Sequence, residues 1–227
     1  MKNNNETIGI TAEYALCKLF KINCNITNNR INNDILTKLT IPLDKFINNN
    51  NIKIIKHEGY NNKNIDFILK DNKTLSLKTL KNNNGKICPQ KVGQPTLKSF
   101  DKQWNLEFNG DLIYNKDRFE YIKKNIYSYL NIMLKNIYCC DYLILIRNCN
   151  KNPNIEILEK NIDYFNNQKI IFTKYIYEEK WNKKKNKYSE FSSTIKINNI
   201  IVGELQFHKN SRKVLKFRFN YTFLISI

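Results

Sequence analysis

The sequence predicts an α/β protein with a mixed central β-sheet flanked by helices and a β-hairpin near the C-terminus. Three stretches carry that expectation. Asp117–Ile137 repeats apolar residues at spacings of three and four, Tyr142–Ile146 is an unbroken apolar run, and Ile201–Phe207 and Val214–Tyr221 alternate strictly. The first pattern marks a helix with one buried stripe, the second a strand buried on both faces, and the third two strands with one buried face each. At 227 residues and 41% apolar content the chain can bury a substantial core, and it reads as one domain over 1–227.

Taken in order, Thr7–Phe20 forms an amphipathic helix with Ala12, Ala15, Leu16, Leu19 and Phe20 along its stripe. Glu13 falls at the border of that stripe, where a carboxylate needs a partner, either a metal or a surface lysine. Residues 23–51 are polar and Asn-rich and are read as an insertion with one or two short helices. Ile52–Lys56 reads as a strand, after which His57 is read as a loop residue in preference to a base, and Glu58 as a turn carboxylate in preference to a metal ligand. Asn64–Leu69 and Leu75–Leu80 form two strands around the turn Asp71-Asn72-Lys73. The following segment, 81–96, holds two glycines and two prolines among basic residues, a shaped loop in which backbone N–H groups approach an anion closely. The helix 117–137 carries Phe119, Ile122, Ile126, Tyr129, Leu130, Met133, Leu134 and Ile137 on one face. Residues 148–190 are a second polar insertion, with strand or helix pieces at 155–158 and 169–177. Its run Lys180–Tyr188 mixes cations with aromatics, which suits a nucleic-acid backbone or simply a solvated surface.

Lys and Arg number 38 against 20 Asp and Glu, a net charge of +18 that points to a polyanionic partner. An excess of Asn, Ile, Lys, Tyr and Phe is also what an A·T-rich coding sequence produces, so charge alone does not establish nucleic acid. The six cysteines include no C-x-x-C pair, which argues against a zinc ribbon or finger, and a chain of this size without a secretory leader is not expected to rest on disulfides. Met1–Asn5 leads into no apolar leader segment, and the Tyr142–Ile146 run is far too short to span a bilayer. A cytoplasmic protein with reduced thiols and no membrane partner is expected.

Chemistry concentrates on the hairpin 64–80. Alternation puts Ser76 and Lys78 on one face of the second strand and Leu75, Leu77 and Thr79 on the other. Asp66, near the start of the first strand, can approach Lys78 across the turn. A carboxylate and an ammonium so placed can hold Mg²⁺ and an attacking water beside a phosphate. On the C-terminal hairpin, Leu205, Phe207, Leu215, Phe217, Phe219 and Tyr221 share one side. Glu204, Gln206, His208, Lys216, Arg218 and Asn220 share the other, as a two-stranded ribbon reading a major groove would require, or as any solvent-facing sheet would show.

Asp66, the turn, and Leu75-Ser76-Leu77-Lys78-Thr79 resemble the PD-(D/E)XK nuclease superfamily, and within it the type II restriction endonucleases. The segments 9–15, 64–96, 141–147 and 203–219 are similar to the corresponding parts of those enzymes. Two positions depart from the pattern: Asn64-Ile65 precedes Asp66 where proline is usual, and Ser76 stands where a second acid is usual. The resemblance implies Mg²⁺ held by Asp66, the Leu77 carbonyl and Glu13, with Lys78 acting on the attacking water and Ser76 in the place of the missing acid. It further implies sequence-specific cleavage of both strands of double-stranded DNA by a homodimer in a bacterial cytoplasm, within a restriction-modification system. Candidate DNA contacts are Lys81, Gln90, Gln94, Gln206, His208, Arg212, Lys216 and Arg218, with Gln90 and Gln94 equally suited to capping their loop. Taken with the length and the Asn and Lys bias, the resemblance also implies an A·T-rich palindrome as the site; Asn and Gln are apt adenine readers, but an A·T-rich gene supplies Asn regardless. A structure-selective nuclease of the same superfamily and a non-catalytic basic DNA-binding protein are the alternatives.

Overall fold

Asparagine starts the first two helices. α1 (Asn5–Leu19) begins where Asn4 Oδ1 accepts the Thr7 N–H at 2.8 Å, and α2 (Asn33–Asn49) where Asn32 Oδ1 accepts the Ile35 N–H at 3.1 Å. The chain continues through β1 (Ile54–His57), β2 (Phe67–Leu69), β3 (Thr74–Thr79), β4 (Lys86–Ile87), α3 (Leu97–Gln103), α4 (Asn115–Lys124) and α5 (Ile126–Ile137). There follow β5 (Tyr142–Arg147), β6 (Asn154–Leu158), β7 (Ile170–Ile176), β8 (Lys180–Asn182), β9 (Lys187–Ile197), β10 (Ile200–His208), β11 (Leu215–Asn220) and α6 (Tyr221–Leu224). The computed structural model describes residues 4–59, 65–89, 92–103, 115–158, 165, 170–176, 180–182, 187–197, 199–208 and 215–227. These fall into two compact units, Met1–Gly85 with Tyr138–Lys160, and Lys86–Ile137 with Asn161–Ile227.

In the first unit a five-stranded sheet runs in the order β1-β2-β3-β5-β6. Its neighbours are antiparallel except β3 and β5, which run parallel from Leu75 opposite Tyr142 to Thr79 opposite Ile146. The sheet is therefore mixed and flanked by helices, as the sequence predicts. Leu143, Ile144, Leu145 and Ile146 are all buried, as an unbroken apolar strand requires. Leu75 and Leu77 pack with Ile8, Ala12, Ala15 and Leu16 of α1, and Thr79 Oγ1 donates to the Asn5 carbonyl at 3.3 Å, so the alternation read for β3 holds. The turn between β2 and β3 places Asn72 at φ 61°, a left-handed conformation that Asn tolerates better than most residues.

Residues 33–49 differ from the expected short helices, forming one 17-residue helix that runs through Pro42. Ile35, Leu39, Leu43 and Ile47 recur at every fourth position and are buried in the same core as α1. Burying four such side chains contributes roughly 6–12 kcal/mol, against about 3 kcal/mol for proline in a helix interior. Packing therefore overrides the breaker.

In the second unit the sheet order is β4-β11-β10-β9-β7, with β8 paired to β9. β10 and β11 form the predicted hairpin, from Gly203 opposite Phe219 to Phe207 opposite Leu215. It is not a two-stranded ribbon, because β9 pairs with the other edge of β10 and β4 with that of β11. Tyr221 is also corrected: it opens α6, where Asn220 Oδ1 accepts the Thr222 N–H. Leu205, Phe207, Leu215, Phe217 and Phe219 form the buried face, and Tyr129 of α5 meets Phe217 edge-on at 5.6 Å between ring centroids. The long helix read for 117–137 is interrupted at Asn125, whose Nδ2 donates to the Tyr121 carbonyl at 3.0 Å and whose own carbonyl accepts the Tyr129 N–H. The pieces read at 155–158 and 169–177 are the strands β6 and β7. Among the described residues no helix is long and apolar enough to cross a membrane.

Leu39 is fully buried at the centre of the α2 stripe. Leu39→Ala is expected to lower stability by about 2–5 kcal/mol, read as a fall in the urea midpoint, whereas Ile41→Ala, at a position 78% exposed, leaves the midpoint nearly unchanged.

Candidate active site

The first unit gathers its charged groups around the start of β2. Asp66 is held from three directions: its N–H donates to the Leu75 carbonyl at 3.0 Å, its carbonyl accepts the Glu58 N–H at 2.7 Å, and its Oδ2 accepts the Leu77 N–H at 2.6 Å. The carboxylate is buried, and a short charge-assisted bond to a strand backbone fixes it against β3. Lys78 follows Leu77 directly and is half-buried.

Glu13, from α1, joins this group. Its Oε2 lies 3.1 Å from His57 Nε2 at the end of β1. Burial is the largest influence on its carboxyl and raises it above the ordinary carboxylate range; the negative charge of Asp66 adds to that, while the His57 bond and the Lys78 ammonium oppose it. Glu13, Asp66 and Lys78 thus share one electrostatic neighbourhood. His57 is not the loop residue expected but a buried one, stacked at a tilt 5.2 Å from the Phe67 ring. Gly59 makes room for the pair, because a Cβ there would stand 2.6 Å from Glu13 Oε2 and 2.8 Å from His57 Nε2.

Glu58 and Cys139 also belong to this neighbourhood; the sequence offers Glu58 for the metal as the lesser of two readings and does not point to Cys139. Glu58, read as a turn carboxylate, is buried, and its backbone continues the β1–β2 register to pair with Asp66. Lys56 Nζ lies 2.5 Å from Glu58 Oε1. The signal is the extension of the strand two residues past Lys56, through His57 to Glu58. Cys139 stands near Lys78 and Asp66, and its thiol is drawn down to about 7, first by a hydrogen bond with Cys140 and further by the Lys78 ammonium, against burial and the Asp66 charge. Ser76 is buried and supplies a hydroxyl, not a carboxylate, to the same strand. Lys81 is exposed, and its N–H donates to Asn5 Oδ1 at 3.2 Å.

The polar face expected on the C-terminal hairpin is present in the second unit. Glu204 Oε2 accepts from Lys86 Nζ at 2.7 Å and from Arg218 Nη2 at 2.6 Å, while its Oε1 accepts from Gln206 Nε2 at 3.1 Å. Arg218 Nη2 also donates to Gln206 Oε1 at 3.1 Å. Burial alone would raise the Glu204 carboxyl, but Lys86 and Arg218 together bring it below its ordinary value. His208 and Lys216 are half-buried on the same two strands. Gln94 caps its loop, donating to Cys88 Sγ at 3.3 Å, and the loop is closed by Phe217 N–H donating to the Gly93 carbonyl at 2.8 Å. Gln90 and Arg212, and much of the 180–188 run, lie outside the described residues.

Over 153 residues the chain is 37% identical to a protein named type II restriction enzyme CviAII, of Paramecium bursaria Chlorella virus 1. The match takes in 67% of this chain and 41% of that protein, so the chain spans less than half the length of the curated relative it matches. No family model matches, and no solved structure does.

A carboxyl whose folded pKa is raised stabilises the fold below the unfolded pKa and loses that contribution as pH rises through the folded value. For Glu13 the window opens near its ordinary 4.5 and extends upward. With metal withheld, the melting temperature of Glu13→Gln relative to the parent is therefore expected to rise as pH is taken from about 4.5 towards neutrality. A difference that stays flat or falls over that range would contradict the raised carboxyl.

Proposed function

We propose that the chain is a type II restriction endonuclease that hydrolyses phosphodiester bonds in both strands of double-stranded DNA with Mg²⁺. One observation carries the reading: the Asp66 carboxylate is bonded to the β3 backbone at Leu77, one residue before Lys78, with Glu13 close enough to feel both charges. The match to a named restriction enzyme supports it from an independent direction.

The residues fit Mg²⁺ in kind. Hard oxygen donors are available from Asp66, Glu13, Glu58 and the Leu77 carbonyl, which in a β-strand points to the same side as the Leu77 N–H that Asp66 holds. Burial raises the Glu13 carboxyl, and an added cation beside it would favour its charged form. When bound, Mg²⁺ lowers the pKa of a coordinated water and offsets negative charge on the phosphate. Asp66 and Glu13 would hold that cation, and Glu58 is a second candidate for the carboxylate that Ser76 lacks. Lys78 would orient the attacking water and face the charge that builds on the phosphate oxygens in the transition state. The His57 bond keeps Glu13 turned towards the site.

Recognition is assigned to the half-buried polar face of β10 and β11. The Glu204 carboxylate holds Arg218 and Gln206 in one arrangement before DNA arrives, which reduces the ordering required on binding. His208 and Lys216 would extend that surface, and Lys81 would contact phosphate. Reading of a palindrome, A·T-rich as the resemblance implies, by a homodimer completes the proposal, since two-fold DNA symmetry is matched by two-fold protein symmetry.

Digestion of a large, fully sequenced DNA with Mg²⁺ and with EDTA tests this. Sharp fragments only with Mg²⁺ are expected, and sequencing their ends gives the site. A Mg²⁺-dependent smear would instead indicate a structure-selective nuclease, and intact DNA with a salt-sensitive gel shift a non-catalytic binder. Asp66→Ala is expected to abolish cutting while leaving the gel shift, and Lys78→Ala to slow it by on the order of 10²–10³-fold. Comparing Glu13→Gln with Glu58→Gln identifies the second acid as the one whose loss raises the Mg²⁺ concentration needed for half-maximal cutting.

A further inference from the structure

We propose that the first unit contains a second metal site of a different kind, formed by Cys17, Cys24 and His57 and suited to Zn²⁺. The ligand atoms of these three residues lie within 4.8 Å of one another. Cys17 is in the last turns of α1, Cys24 in the connection after it, and His57 at the end of β1. Cys17 and His57 are buried, Cys24 is half-buried, and both cysteines are reduced. His57 also lines a surface pocket with Lys21, Asn23, Asn25 and Lys56.

Two thiolates and an imidazole are the donors that Zn²⁺ prefers and Mg²⁺ does not. Zinc bonds of about 2.0–2.3 Å bring tetrahedral donor atoms to roughly 3.5 Å apart, so the 4.8 Å grouping closes by small side-chain rotations. On binding, both thiols release their protons to solvent and two S–Zn bonds and one N–Zn bond form. Three protein ligands leave the fourth position to water.

The site has a consequence for Glu13. A metal-bound histidine that also bonds a carboxylate has its ring orientation fixed by both, and His57 Nε2 already meets Glu13 Oε2 at 3.1 Å. Zinc would thereby tie α1, the following connection and β1 together directly behind Glu13. That coupling rests on the role proposed for Glu13; the metal site itself does not.

The test uses the full chain without DNA. Metal analysis of protein purified without chelator is expected to find up to one zinc per chain. Titration of apo-protein with Co²⁺ is expected to give a thiolate-to-cobalt charge-transfer band and tetrahedral d–d bands saturating at one equivalent. Cys24→Ser, at a half-exposed position, should keep its circular dichroism spectrum and weaken Co²⁺ binding by at least about 100-fold, and His57→Asn should weaken it likewise. Cys88→Ser should leave the bands intact. Absence of a charge-transfer band at one equivalent, or its persistence in Cys24→Ser, would overturn the proposal. So would ready conversion of Cys17 and Cys24 to a disulfide by mild oxidant with no metal uptake, which would make them a redox pair instead. Loss of DNA cleavage with a normal cobalt spectrum would count against the nuclease reading alone.

Discussion

The bond between the Asp66 carboxylate and the Leu77 N–H sets the position of everything else in the candidate active site. Asp66 lies just before β2, where a side chain would ordinarily sample several rotamers, yet its N–H, carbonyl and carboxylate are each committed to a different residue. β3 in turn cannot slide. It pairs in parallel with β5, whose four central residues are buried, and a slip of one residue would exchange Leu77 with Lys78 between the two faces of the sheet. The hydrophobic pattern of the sheet thus determines where the ammonium sits, and one side-chain bond determines where the carboxylate sits relative to it.

Two partly buried glutamates show what the first unit lacks by itself. Glu204 is surrounded by Lys86, Arg218 and Gln206, and its carboxyl falls below the ordinary value despite desolvation. Glu13 has His57 and a more distant Lys78 set against burial and the Asp66 charge, and its carboxyl rises. The side chain is the same, and the supply of positive charge decides the sign. The Glu204 network is internally compensated by Lys86 and Arg218. The neighbourhood of Glu13 and Asp66 is not compensated to the same degree, which is the electrostatic condition for taking up a cation.

Much of this was legible in the sequence, for definite reasons. The β2–β3 hairpin, the doubly buried β5 and the alternation of β10 and β11 follow from periods that polar neighbours did not disturb, and Asp66, Lys78 and Glu13 emerged with them. α2 was obscured because Pro42 and surrounding asparagines lower local helix preference, whereas the stripe Ile35, Leu39, Leu43 and Ile47 acts only through packing. Glu58 was obscured by the uncertain end of a short strand. The pairing of β9 and β4 onto the C-terminal hairpin is a long-range choice that no local pattern states. The grouping of Cys17, Cys24 and His57 was hidden because its members come from a helix, a connection and a strand, with none of the short spacings by which zinc ligands are usually read.

Composition bias helps separate residues that are merely tolerated from those the geometry requires. Asparagine is abundant here and is used where several residues would serve: as helix caps at Asn4 and Asn32, and in left-handed backbone at Asn51, Asn72, Asn148 and Asn199. Glycine is scarce, with six in the chain, and A·T-rich coding drift would not supply it. Among the described glycines, a Cβ on Gly59 would stand against the Glu13–His57 pair, one on Gly93 would lie 2.5 Å from the Pro89 carbonyl, and one on Gly203 would lie 2.5 Å from the Arg218 carbonyl. The Gly93 loop is fastened to β11 and carries Gln94, while Gly59 guards the one contact shared by the proposed magnesium and zinc sites. The close passage of Gly59 beside Glu13 and His57 therefore bears on both proposed sites at once.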